Sequence, residues 1–76
     1  MLISREKFDE IADRYNLTDG EAEDACNFVS DLLVAEADLT EAKYPMATSC
    51  TSRLNSAAYR VFDIGRDISA DNFGEE

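Results

Sequence analysis

Seventy-six residues with 17 acids, 7 bases and no histidine give a formal net charge of −10. A chain of that length makes one small domain with a marginal core, and its charge disfavours direct contact with nucleic acid or an anionic membrane. An apolar content of 45%, including four Phe and three Tyr, is too high for a disordered acidic tail, so the chain is expected to fold.

Met1 to Ile3 is a short apolar lead-in. Ser4 is a good helix N-cap, and Ile3 before it is placed to pack on Phe8 as a hydrophobic staple. Phe8, Ile11, Ala12 and Tyr15 then recur at the spacing of one buried helical face. Glu6, Asp9, Glu10 and Asp13 share the other side, and Arg14 can pair with Glu10 one turn earlier. The first helix is expected from about Arg5 to Tyr15.

Asn16-Leu17 is a tight break, since Asn tolerates a left-handed conformation. Thr18 and Glu21 then form a capping box. Asp19, Glu21, Glu23 and Asp24 load the following turns with the charge that suits a helix N-terminus. On a second helix from Thr18 to Asp38, Ala22, Ala25, Cys26, Val29, Leu32 and Leu33 make one apolar stripe, with Phe28 at its edge. Glu23, Asp24, Asn27, Asp31 and Asp38 lie opposite. Asp24, Asp31 and Asp38 repeat every seventh residue, a ridge with steps of roughly 10 Å. Leu39 to Lys43 either continues this helix or makes a separate fourth turn, and Pro45 forbids helix beyond it.

A third helix is expected from about Ala47 to Ile64, with Gly65 as its stop. Cys50, Leu54, Ala57, Ala58, Val61 and Ile64 form its apolar stripe, with Phe62 at one edge. Ser49, Ser52, Asn55, Ser56 and Tyr59 make a polar, uncharged outer face beside Arg53 and Arg60. Charge is polarised along the chain: residues 1–41 carry net −9, residues 42–62 net +3 with no acid, and residues 63–76 net −4. That distribution counts against acidity as simple solubilisation. The expected fold is therefore all-α, a compact three-helix bundle, with residues 1–65 as the helical domain. Residues 66–76 read as an acidic, mostly flexible tail that Ile68 and Phe73 could dock on the bundle.

Candidate chemistry is sparse. Without histidine the commonest general base and metal ligand are missing, and no nucleophile-elbow or phosphate-loop pattern occurs, so no enzyme, metal site or cofactor is expected. Centring a calcium loop on Gly20 puts Tyr15 and Leu17 where carboxylates belong and Cys26 where the closing Glu belongs, so that reading fails. Cys26 and Cys50 both fall on apolar stripes and are expected to be core thiols. If the second and third helices pair antiparallel, Cys26 comes level with about Ala58 and Cys50 with about Val34, too far apart for a disulfide. No secretory signal or membrane span is apparent. The default is a reducing cytoplasm, where the Asn16-Leu17-Thr18 sequon is coincidental.

Glu10 to Ala22 has the rhythm of a helix-turn-helix, but the second helix would present Asp19, Glu21, Glu23 and Asp24 to phosphates of the same sign. The acidic ridges are the remaining candidate. They are either a solvated face or a surface that imitates the phosphate array of DNA and occupies a basic groove. In size, acidity and helical make-up the chain resembles the small phage-encoded anti-CRISPR and anti-restriction proteins, several of which are DNA mimics. These share no common motif that would carry residue roles across. The resemblance implies a non-enzymatic inhibitor of a CRISPR surveillance complex or similar DNA-handling machine in a bacterial cytoplasm. The partner-binding candidates are Glu6, Asp9, Glu10 and Asp13 on the first helix and Glu23, Asp24, Asp31 and Asp38 on the second. The alternative is a small acidic adaptor or self-associating protein, a homodimer included, that uses Ser49, Ser52, Ser56 and Tyr59.

Overall fold

The computed structural model describes residues 1–75. It is an all-α three-helix bundle: α1 (Arg5–Arg14), α2 (Asp19–Lys43) and α3 (Thr48–Ser69). Each of the first two helices begins where its side chains can satisfy free N–H groups. Ser4 Oγ accepts from the Lys7 amide at 3.1 Å. The Thr18–Glu21 capping box is complete, with Glu21 N–H on Thr18 Oγ1 at 3.2 Å and Thr18 N–H on Glu21 Oε1 at 3.0 Å. Asn16 takes a left-handed conformation, φ 55°, between α1 and α2. Of the two readings of Leu39 to Lys43, continuation holds: α2 runs unbroken for 25 residues, and the chain turns at Tyr44–Ala47.

Two expectations for α3 need correction. Gly65 does not stop the helix; α3 runs on to Ser69, and Gly65 is buried inside it. A Cβ at that position would lie 3.0 Å from the Cβ of Cys26. The glycine is there because α2 and α3 approach closely, not because the backbone must turn. The pairing register also differs. Cys26 sits against Gly65 rather than Ala58, and the Ser30 hydroxyl donates to the Ala58 carbonyl at 3.0 Å. The extra turns of α2 beyond Asp38 move the hairpin bend, and every cross-helix partner moves with it.

Small residues build the α2–α3 seam. On α2 the buried and half-buried positions Cys26, Ser30, Leu33, Ala37 and Thr40 alternate four and three apart, and Ala37 has no exposed surface. On α3 the matching set is Thr51, Leu54, Ala58, Val61, Gly65 and Ile68. This is the spacing of a coiled-coil seam, with side chains short enough for close backbone approach.

The helices are unequal in length. At 1.5 Å per residue α2 and α3 span about 37 and 33 Å, while α1, with 10 residues, spans about 15 Å. The molecule is accordingly elongated, 43 × 22 × 20 Å. α1 closes one end only, where Phe8 and Ala12 pack with Ala22 and Ile68, flanked by Met1, Leu17, Cys26 and Phe73.

The C-terminal segment belongs to that closed end. Phe73 meets Phe8 with ring centroids 5.2 Å apart. The Gly74 N–H donates to the Ile3 carbonyl at 2.7 Å, and a Cβ on Gly74 would collide with the Leu2 carbonyl. Of the expected tail, residues 66–69 are therefore helix and residues 71–74 contact the start of the chain; Glu76 lies outside the described residues. Arg5 ties this end together. Its guanidinium forks onto Asp19 at 2.8 and 2.9 Å, reaches Asp71 at 3.3 Å, and stands 4.9 Å from the Phe73 ring centre. The Asp19 hydrogen bond raises the Arg5 pKa, keeping the cation fixed at any ordinary pH.

Candidate protein-interaction surface

The eight carboxylates singled out from the sequence fall into three different settings. On α1, Asp9 pairs with Arg5 at 3.2 Å, and Glu10 lies between Lys7 at 3.4 Å and Arg14 at 3.1 Å. Lys7 and Arg14 together hold the Glu10 carboxyl below its usual range. Glu6 and Asp13 are exposed on the same helix. The α1 ridge is thus partly neutralised by cations on its own helix.

Glu23 is different again. It is half-buried near the α2–α3 seam, where its backbone carbonyl comes within 3.7 Å of a Cβ placed on Gly65. Burial, assisted by the Glu23 charge, pushes the Cys26 thiol up. Glu23 is therefore separated from the α2 ridge it was grouped with. Asp24, Asp31 and Asp38 remain: all three are exposed, and none has an ion-pair partner among the described residues. Spaced seven positions apart, they form a column along α2 with steps of about 10.5 Å.

The apolar stripe expected for α2 divides into two. Ala22, Cys26 and Leu33 turn inward, joined by Ser30 and Ala37, which the sequence reading left out. Ala25, Phe28, Val29 and Leu32 face solvent. Extending the outer set along the helix gives Ala25, Phe28, Leu32, Ala35, Leu39 and Ala42, spaced three and four apart without a break, all exposed. Phe28, Leu32 and Leu39 are 65%, 53% and 66% exposed. The 3–4 spacing of this second seam was readable in the sequence, but a single wide stripe absorbed its first half.

Cys50 is also placed otherwise than expected. It is exposed on α3, Cys26 is half-buried, and both are free thiols. The uncharged residues Ser49, Ser52, Ser56 and Tyr59 are all exposed. Ser52, Ser56 and Tyr59 line one shallow groove with Glu41, Pro45 and Thr48, and Ser49 lies outside it. A neighbouring groove between the long helices is lined by Ser30, Val34, Asn55, Tyr59 and Phe62. Among the described residues no group of three or more His, Cys, Asp or Glu is placed to hold a metal ion. No helix there is long and apolar enough to cross a membrane. No protein-family model, curated protein sequence or solved structure matches this chain.

Proposed function

We propose that this protein is a non-enzymatic inhibitor whose acidic α2 surface stands in for DNA phosphates and blocks a basic nucleic-acid groove on a partner. A CRISPR surveillance complex or comparable DNA-handling machine in a bacterial cytoplasm is the partner class. The observation that carries this reading is the Asp24, Asp31 and Asp38 column, exposed and without cations of its own. A net charge of −10 costs the compact state some self-repulsion, which a partner's Lys and Arg would relieve. Asp13 adds charge at the α1 end. Asp9 and Glu10 contribute less, because Arg5, Lys7 and Arg14 already engage them.

The test is capture from a bacterial lysate containing CRISPR and restriction complexes. A nucleic-acid-binding complex should be retained at low salt, displaced by added DNA and released at high salt. Reversal of Asp24 and Asp31 to Lys should abolish that retention. Bait that holds only itself, or a partner without a basic surface, contradicts the proposal.

A second reading has its own support. Ser52, Ser56 and Tyr59, all from the acid-free stretch of the chain, share a groove that Glu41 of α2 borders, which suits a small acidic adaptor that contacts its partner through α3. Substituting Ser52 and Ser56 with Leu would abolish partner capture under that reading and leave it intact under the first.

A further inference from the structure

We propose that the exposed seam of α2 docks an amphipathic helix of a partner protein, one bearing Lys or Arg at every seventh position on the flank facing the Asp column. This rests on the reading above only in taking the partner to be basic; it does not require that partner to bind DNA.

Ala25, Phe28, Leu32, Ala35, Leu39 and Ala42 follow the heptad spacing that one helix presents to another. The three alanines, Ala25, Ala35 and Ala42, leave space beside Phe28, Leu32 and Leu39, into which a partner's apolar residues can set. α1 does not supply that partner, because it is short and occupies the closed end of the hairpin. A run of exposed apolar residues this long on a small chain is the usual mark of an interaction site.

Charge on the seam's borders selects the occupant. One border is Asp24, Asp31 and Asp38; the other is Val29, Glu36 and Lys43. A second copy laid antiparallel would set one Asp column against the other. A parallel copy would oppose Asp31 to Glu36, with only Asp38 and Lys43 complementary. Each copy also carries net −10. A helix with basic residues in step with the aspartates gains at all three places, because flanking charges set partner choice in such pairings.

The probe is a synthetic four-heptad peptide with Leu at both seam positions and Lys on both flanks, titrated into the full chain. A matched peptide with Glu flanks is the control. The Lys peptide should bind at least about tenfold more tightly than the Glu peptide, and lose about tenfold or more with Leu32→Gln/Leu39→Gln and with Asp24→Asn/Asp31→Asn/Asp38→Asn. Circular dichroism should show all variants folded, since every changed residue is exposed. Equal binding of both peptides overturns the proposal. So does binding that ignores the Leu changes; if the Asp changes alone abolish it, the acidic-surface reading stands and the seam falls. A dimer in sedimentation equilibrium that dissociates with Leu32→Gln/Leu39→Gln makes the occupant a second copy, which also overturns it.

Discussion

The two faces of α2 carry the same coiled-coil spacing and opposite logic. The inner face, Cys26, Ser30, Leu33, Ala37 and Thr40, uses mostly small side chains and brings α3 close enough that a Cβ on Gly65 would stand 3.0 Å from that of Cys26. The outer face, Ala25, Phe28, Leu32, Ala35, Leu39 and Ala42, keeps the larger apolar groups in water. Burying apolar area is the main source of folding free energy, so an isolated chain would be expected to place Phe28 and Leu39 inside. The reverse arrangement assigns the inner face to the fold and leaves the outer face for another molecule.

The sharpest way to break this division is to charge the inner face. Ala37→Asp places a carboxylate where no surface is exposed. It should cost about 3 kcal/mol or more in denaturant unfolding, enough to unfold a domain this small. A stable Ala37→Asp protein would mean the seam is not closed. Phe8→Ala tests the closed end in the same way. Phe8 contacts Phe73 and shares a cluster with Ala22 and Ile68, so its loss should cost about 3 kcal/mol and release the C-terminal segment. The expected sign is faster amide exchange at Gly74, whose N–H is bonded to Ile3.

A smaller effect sharpens the register. Ser30→Ala removes the hydroxyl donated to the Ala58 carbonyl and should cost about 1 kcal/mol. No loss would place Ser30 outside the seam.

The pH dependence is gentler still. Hydrogen bonding from the Thr18 backbone N–H holds Glu21 below its usual range, and the N-terminal ammonium with Asn72 does the same for Asp67. A carboxylate lowered in the folded state contributes stability that is present above its unfolded pKa and lost as pH falls through the folded value. Glu21→Ala should therefore weaken the protein at neutral pH and change it less at an acidic pH below the folded-state pKa of Glu21, where the carboxyl is protonated. Urea midpoints at the two pH values check the sign.

Much of this fold was legible in the sequence, for local reasons. Ser4, the Thr18–Glu21 box and Asn16 act within a turn of themselves, so their chemistry can be read without knowing any neighbour. Gly65 was misread because its role is a tertiary one: the crowding atom belongs to Cys26 on another helix. The register was misread because it depends on where α2 ends, and Leu39 to Lys43 fits a helix or a turn equally well by pattern. Of the candidate site, the Asp24, Asp31 and Asp38 column was legible from its period. Glu23 was not, because its half-burial follows from the packing of α3. Cys50 and the outer seam were obscured alike: apolar periodicity marks a face that can be buried and does not state by what.

The most direct test of the division between faces is the unfolding free energy of Phe28→Gln/Leu32→Gln/Leu39→Gln against the parent chain. Gln is a good helix former, so propensity hardly changes. If the outer face takes no part in the fold, the triple variant should differ from the parent by no more than about 1.5 kcal/mol, about 0.5 kcal/mol for each exposed change, with a midpoint independent of protein concentration. A loss of several kcal/mol, or a midpoint in the parent that rises with concentration, would show that these side chains are buried after all.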